Sequence, residues 1–290
     1  MPSNLANLKI MPRFVVGTPK GSMLKELKHI MHLEGELFIS KLQQDEVVGD
    51  AKDDDLSTEQ DIDKLVLQWA QDFIGFRNEE CENMVLDFMK PHVNIKVLKI
   101  SYYGGMRIWS WLGSASYASI VHVDVCGCRN VTSLPSLGQL PSIKELHVEG
   151  LSSVRKVGNE FYGIEKLPFH SLRTLVFCEM STWEDWSDYG GVYEVEPPFG
   201  CLEHLIIWHC PKLVGRLPEG FDSLTNLEID SCPCLEESSC VISLPSLDKL
   251  HLKGSNVEMF KSLVDLTFLT ALKITSIPKL TYFESRFINS

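Results

Sequence analysis

Three pairings of metal-ligating residues invite a chemical reading: Cys126-Gly-Cys128, Cys232-Pro-Cys234 and His209-Cys210. Zinc needs four such ligands converging on one point. The positions argue for something else. Cys128, Cys210 and Cys232 each stand three residues past the end of a short apolar pattern, where other copies of that pattern have Leu151, Met180 or Ile277. A shared phase predicts a stacked column of small inward-facing side chains with a weak donor, not a metal cage. Glu184-Asp185, between Trp183 and Trp186, has the residue types for general acid and base work. No histidine or further acid shares a comparable apolar setting, and the tryptophans are expected to pack beneath a long loop. Asp53, Asp55, Ser57 and Glu59 begin like a calcium loop, but Thr58 stands at its sixth position and Lys64 at its twelfth. Gly17-Thr-Pro-Lys-Gly21-Ser22 has the wrong spacing for a phosphate loop, with no lysine after its second glycine, and reads as a turn. The nine histidines are scattered. The expectation is a chain with no catalysis, no cofactor and no metal.

What these residues share is a repeat. An apolar residue, two variable residues, an apolar residue, one variable residue and a third apolar residue recur. The pattern is clearest in Leu202-Glu-His-Leu205-Ile-Ile207, Leu224-Thr-Asn-Leu227-Glu-Ile229 and Leu247-Asp-Lys-Leu250-His-Leu252. In one frame it starts at Ile62, Ile95, Ile120, Ile143, Leu172, Leu202, Leu224, Leu247 and Leu269, at steps of 22 to 33 residues. Those steps lie in or near the ~20–29 residues of a leucine-rich repeat. Leu33-Glu-Gly-Glu-Leu37-Phe-Ile39 is a degenerate earlier unit, and a shorter one is expected between Leu5 and Val16. Alternate residues of a strand face one side, so Leu205 and Ile207 point inward and Ile206 and Trp208 outward. One repeat cannot bury its own apolar face, so neighbours must stack. The predicted fold is an α/β leucine-rich-repeat solenoid, a horseshoe with short parallel strands on its concave face. Many prolines between the patterns predict irregular loops and short helices on the convex face.

The chain of 290 residues, 44% hydrophobic, is expected to form one domain of about 10 to 11 repeats over 1–290. Of its formal charge of −12, residues 34–90 hold 16 acids against 5 bases, a local −11. That segment disfavours nucleic acid. It reads as an acidic insertion at about 41–61, then a helix at about 79–89 in which Met84, Val85, Phe88 and Met89 share a face and Pro91 ends the run. No stretch of ~18 apolar residues spans a membrane, and residues 1–20 lack an apolar signal core. A cytoplasmic protein with mostly reduced cysteines is expected, its Asn130-Val-Thr132 sequon unused.

Seven segments, in order, carry a resemblance. They are Phe14-Val-Val-Gly17, Leu65-Val-Leu-Gln-Trp69, Tyr103-Gly-Gly105 followed by Trp111-Leu-Gly113, Leu134-Pro-Ser-Leu-Gly-Gln-Leu-Pro141, Gly158-Asn-Glu-Phe-Tyr-Gly163, Met180-Ser-Thr-Trp-Glu-Asp-Trp186 and Cys210-Pro-Lys-Leu213. Together they resemble the repeat region of plant coiled-coil NB-ARC (NLR) disease-resistance proteins, from the first residues to about Leu280. The chain departs at Ile108-Trp-Ser-Trp111, where the family usually has Phe-Pro-Ser-Trp, and at Cys128-Arg-Asn-Val131, where it often has Cys-x-x-Cys. The family's nucleotide-binding domain should precede such repeats, and Met1 opens within them, so the chain is expected not to bind or hydrolyse ATP. The resemblance implies a protein-binding scaffold for a pathogen effector or guarded host protein, with a nucleotide-binding domain of a related chain as a further partner. The competing reading is a substrate-receptor subunit of a ubiquitin ligase. It needs an adaptor-binding helical module, and Met1 to Val16 already reads as repeat.

Two outward rows define the candidate surface. One runs Val66, Lys99, Asp124, His147, Val176, Ile206, Glu228, His251, Lys273; the other runs Gln68, Ser101, Cys126, Glu149, Cys178, Trp208, Asp230, Lys253, Thr275. Val176, Cys178, Ile206 and Trp208 should form an apolar patch. Glu149, Glu228 and Asp230 flank it with negative charge, and His251, Lys253 and Lys273 follow with positive charge. Such a patch with a charged rim has the character of a protein contact, unless the Trp183–Gly200 loop folds over it.

Overall fold

The computed structural model describes residues 13–16, 33–43, 56–58, 61–72, 77–106, 111–164, 167–190, 197–235, 242–255, 263–264 and 266–276. The Gly17–Ser22 turn, the calcium-like Asp53 and Asp55, most of the acidic insertion, Ile108 and the sequence after Ser276 lie outside them.

Strands are numbered along the chain. One parallel sheet runs, in spatial order, β1 (Phe14–Val15), β2 (Gly35–Ser40), β3 (Ile62–Gln68), β4 (Val97–Ser101), β5 (His122–Cys126), β6 (Glu145–Glu149), β8 (Thr174–Cys178), β10 (His204–Trp208), β11 (Asn226–Asp230), β13 (Lys249–Lys253) and β15 (Ala271–Thr275). Two short parallel pairs lie apart from it: β7 (Lys156–Val157) with β9 (Asp185–Trp186), and β12 (Ile242–Ser243) with β14 (Leu263–Val264). The sheet strands pair in sequence order, because each segment between them is long enough for one return and too short to skip a neighbour.

Register follows the apolar pattern. Leu146, Leu175, Leu205, Leu227 and Leu250 align across five strands, as do Val148, Phe177, Ile207, Ile229 and Leu252. All are at most 1% exposed. A slip of one residue would turn every one of them outward.

The strand ends are joined by a second ladder. From β4 to β11 the residue after each sheet strand turns left-handed, with φ of 60° at Tyr102, 66° at Gly127, 68° at Gly150, 55° at Glu179, 51° at His209 and 57° at Ser231. From there its N–H reaches the last carbonyl of the next strand: Gly127 to Glu149, Gly150 to Cys178, Glu179 to Trp208, His209 to Asp230 and Ser231 to Lys253, at 2.7–2.9 Å. Gly127 serves a further need, since a Cβ there would lie 2.5 Å from the Tyr102 ring.

Three residues before the repeat starts from Ile120 to Leu247 stands another buried column: Tyr117, Leu140, Phe169, Phe199, Phe221 and Leu244. Each opens a tight turn that ends at the repeat start, as when Leu202 N–H donates to Phe199 O at 2.9 Å. Phe169, Phe199 and Phe221 stack nearly parallel, with centroids 5.5 and 5.2 Å apart. That separation matches the spacing of neighbouring strands. Trp183 and Trp186 pack on Phe177 from below, at 4.7 and 5.3 Å.

Helix α1 (Glu79–Phe88) is capped by the Asn78 side chain, which accepts from Cys81 N–H, and carries Glu79, Glu80 and Glu82 in its first turn. Val85 and Met89 are buried as the apolar spacing requires. Met84 is not; it is 37% exposed, and Leu86 and Glu82 are buried instead. Glu82 turns inward because Arg77 meets it with two bonds, of 2.6 and 2.7 Å, while Gly104 N–H donates to it at 2.6 Å. Arg77 also donates to the carbonyls of Ala70 and Tyr102. A Cβ at Gly104 would come within 2.9 Å of that carboxylate. The Tyr103 hydroxyl donates to Asn83, closing the joint between α1 and the sheet. A second short helix, α2 (Asn159–Tyr162), carries Phe161 and Tyr162 into the aromatic core.

Two stability predictions follow from this packing. Phe199→Ala should cost roughly 3–5 kcal/mol, as large-to-small changes in packed cores do, read by chemical denaturation. Glu82→Ala removes the carboxylate that balances the mostly buried Arg77 guanidinium and leaves the Gly104 N–H without that acceptor, and should cost about 3–5 kcal/mol. Hydrogen exchange should then rise in α1 and around Gly104 before it rises in β10.

Candidate functional site

The outward rows lie side by side on the open face of the sheet. Val176 pairs with Ile206 and Ile206 with Glu228; Cys178 pairs with Trp208 and Trp208 with Asp230. Val176, Cys178 and Ile206 are half-buried, and Trp208 is 39% exposed. The described parts of the Trp183–Gly200 loop pack on the other side of the sheet, since Trp183, Trp186 and Phe199 belong to the core beneath Phe177.

The charges around this patch are organised differently from the simple sign change expected along the rows. They pair across strands. Lys253 Nζ meets Asp230 Oδ2 at 2.9 Å, Lys99 Nζ meets Asp124 Oδ2 at 2.9 Å, and His251 Nδ1 lies 3.9 Å from Glu228 Oε2. His147 stands between two carboxylates, 3.6 Å from Asp124 and 3.5 Å from Glu149. Opposite charges directly across neighbouring strands attract, so negative and positive residues of adjacent repeats meet rather than segregate. Burial works against the Asp230 charge, but hydrogen bonds from Lys253 and Ser231 outweigh it and hold the carboxyl below its ordinary range.

The cysteines divide by phase. Cys128, Cys210 and Cys232 are fully buried, with thiols directed at the carbonyls of Cys126, Trp208 and Asp230 at 3.5, 3.3 and 3.4 Å. Each caps the end of its own strand. The neighbouring Cys232 thiol and burial together push the Cys210 thiol up. Cys126 and Cys178 lie on the open face in the row of Glu149. Burial first, then the charge of Glu149, pushes these two thiols up to about 12 and about 11. Among the described residues no three His, Cys, Asp or Glu side chains gather as a metal site. Asp185 binds Ser187 through its carboxylate and Trp183 through its carbonyl, a local loop arrangement.

The sequence reading missed one feature. A trough of about 590 Å³ runs along the strand ends beside the patch, lined by Arg129, Gly150, Ser152, Glu179, Ser181, His209, Pro211 and Ser231. Its lining residues lie one and three places beyond the strands, so a search confined to strand positions passes over them. Gly150 was the available signal: a glycine where the following repeats have Glu179, His209 and Ser231 leaves the ridge open.

A single parallel sheet with a strand in every repeat, an inward apolar frame and an open face of varied side chains defines a leucine-rich-repeat solenoid, a fold suited to holding other molecules. Within that class, residues 24–151 match the family of R13L1/DRL21 leucine-rich repeats, and the chain is similar over most of its length to proteins named as plant disease resistance proteins. It is 37% identical over 238 residues to a protein of Arabidopsis thaliana named as a disease resistance protein, covering 78% of this chain and 16% of the relative. It is 33% identical over 240 residues to an RPP13-like protein of the same species, covering 77% of this chain and 22% of the relative. Disease resistance protein RGA2 of Solanum bulbocastanum is 30% identical over 285 residues, covering 96% of this chain and 27% of the relative. The chain thus spans about a quarter or less of the length of these relatives. Among the described residues no helix is long and apolar enough to cross a membrane.

The thiol environments predict a labelling pattern. With thiols raised to about 12 and about 11, Cys126 and Cys178 hold a thiolate fraction of roughly one in a thousand or less at pH 8. Iodoacetamide on the native protein should therefore modify the exposed Cys201 and Cys234 and spare Cys126 and Cys178. The difference should vanish on unfolding, as read by peptide mass mapping.

Proposed function

We propose that this chain is a single, non-enzymatic repeat domain that works by reversible protein contact in the cytoplasm, as the recognition region of a plant immune receptor. It senses a pathogen effector or a guarded host protein, and it restrains the nucleotide-binding domain of its receptor or of a related chain until then. The observation that carries this reading is the apolar cluster of Val176, Ile206 and Trp208 on two adjacent strands of the open face, bordered by paired charges. A half-buried apolar centre within a polar border is how protein interfaces concentrate their affinity. The similarity to proteins named for disease resistance supplies the biological setting.

The test is a binding screen of purified plant-pathogen effectors and host proteins against the chain and its Ile206→Lys, Trp208→Glu variant. Circular dichroism should leave the variant's spectrum unchanged, since both side chains point away from the core. A genuine partner should bind the variant at least roughly a hundredfold more weakly, because central interface side chains are worth about 2 kcal/mol or more each. Partners that bind both forms alike sink the reading.

A further inference from the structure

The patch and the trough are contiguous. Glu179 follows Cys178, His209 follows Trp208 and Ser231 follows Asp230, so the trough floor begins where the strand face ends. Its lining extends from Arg129, beyond β5, to Ser231, beyond β11. That is four strand steps of roughly 4.8 Å, or about 19 Å. An extended polypeptide covers this distance with about six residues. The trough is open at Gly150, where a side chain would meet only the Gly127 backbone, at 3.3 Å. It has the length and width for a strand-like segment lying across the repeats.

Charge decides what kind of segment. Glu149 stands opposite the half-buried Cys178 on the neighbouring strand, and Glu179 follows Cys178 in the chain and lines the trough; both carboxylates push the Cys178 thiol up, after burial. Both raise Cys126 as well. The nearby carboxylates of Asp124 and Asp230 already hold Lys99 and Lys253 at 2.9 Å. Among the described residues Glu149 meets the imidazole of His147, at 3.5 Å, and Glu179 is exposed at the mouth of the trough. Two carboxylates at adjoining positions of neighbouring repeats make a setting that suits a cation. Arg129 puts the opposite sign at the far end of the lining.

We propose that patch and trough together take one extended segment of a partner protein, with a Lys or Arg seated between Glu149 and Glu179 and an apolar side chain seated against Val176, Ile206 and Trp208. This rests on the docking reading above and adds the chemistry of the occupant. The segment crosses the strand ends with its basic residue over β6 and β8 and its apolar anchor over β8 and β10.

The probe is a phage-displayed library of random peptides about twelve residues long, panned on the purified chain at low salt. The expected peptides combine Lys or Arg with Trp, Phe, Leu or Ile a few residues away. A synthetic peptide from that selection should bind the Glu149→Gln, Glu179→Gln variant at least about tenfold more weakly, and should weaken as salt is added. It should also lose binding to the Trp208→Glu variant. Both variants are checked for an unchanged circular dichroism spectrum. Peptides that need Trp208 but are acidic, or are indifferent to loss of the two carboxylates, overturn the basic segment and leave the docking surface standing. Peptides indifferent to Trp208→Glu overturn both. Recovery of no peptide overturns the inference.

Discussion

No repeat of this chain can hide its own inward side chains, and the whole structure follows from that dependence. A strand of five residues offers two apolar side chains to one side and covers nothing by itself. Its neighbour supplies the cover, in register, and leaves its own next face to be covered in turn. The parallel ladder, the left-handed residue after each strand and the stacked phenyl rings of Phe169, Phe199 and Phe221 all act across the same gap between repeats. Each favours one spacing, and they agree on it. Local and long-range preferences therefore reinforce one another, the condition for a single well-defined fold.

The strand frame was legible because its period is short and its apolar residues recur in every unit from Ile62 to Leu269. Alternation alone assigned Leu205 and Ile207 inward and Ile206 and Trp208 outward, and the shared phase of Cys128, Cys210 and Cys232 identified them as core. The rest was hidden for physical reasons. The Phe169–Phe199–Phe221 column lies outside the strand pattern, and its place is filled by residues as different as Tyr117, Leu140 and Leu244 in other repeats, so no shared residue type marked it. Glu82 reads as a solvated acid on a helix, and its burial depends on Arg77 and on the Gly104 backbone a repeat away. Met84 fits the apolar spacing of its helix, yet the helix is rotated by the Glu82 joint, and Leu86 takes the buried place. The trough depends on Gly150 in a left-handed turn, a matter of missing volume rather than of any residue present.

Cross-strand pairing also shapes the open face. Asp124 with Lys99, Asp230 with Lys253 and Glu228 with His251 bind neighbouring repeats through side chains as the ladder does through backbone. Such exposed pairs add little stability. What they change is the surface that remains. They cancel charge on both sides of Val176, Ile206 and Trp208, and leave the ground around Glu149 and Glu179 acidic.

The backbone bonds between repeats point along the stacking direction, and this gives the molecule a mechanical character. A pull applied across the strands, from the first repeat toward the last, stretches each row of bonds between neighbours in opening, not in shear. Rows loaded that way give one bond after another, so the solenoid extends by shedding repeats from an end at low force. The Phe169–Phe199–Phe221 stack would resist as a stiffer middle section. Tension reaching this chain through a flanking segment would loosen terminal turns first, while the Trp208 surface, set within that middle, keeps its shape until last.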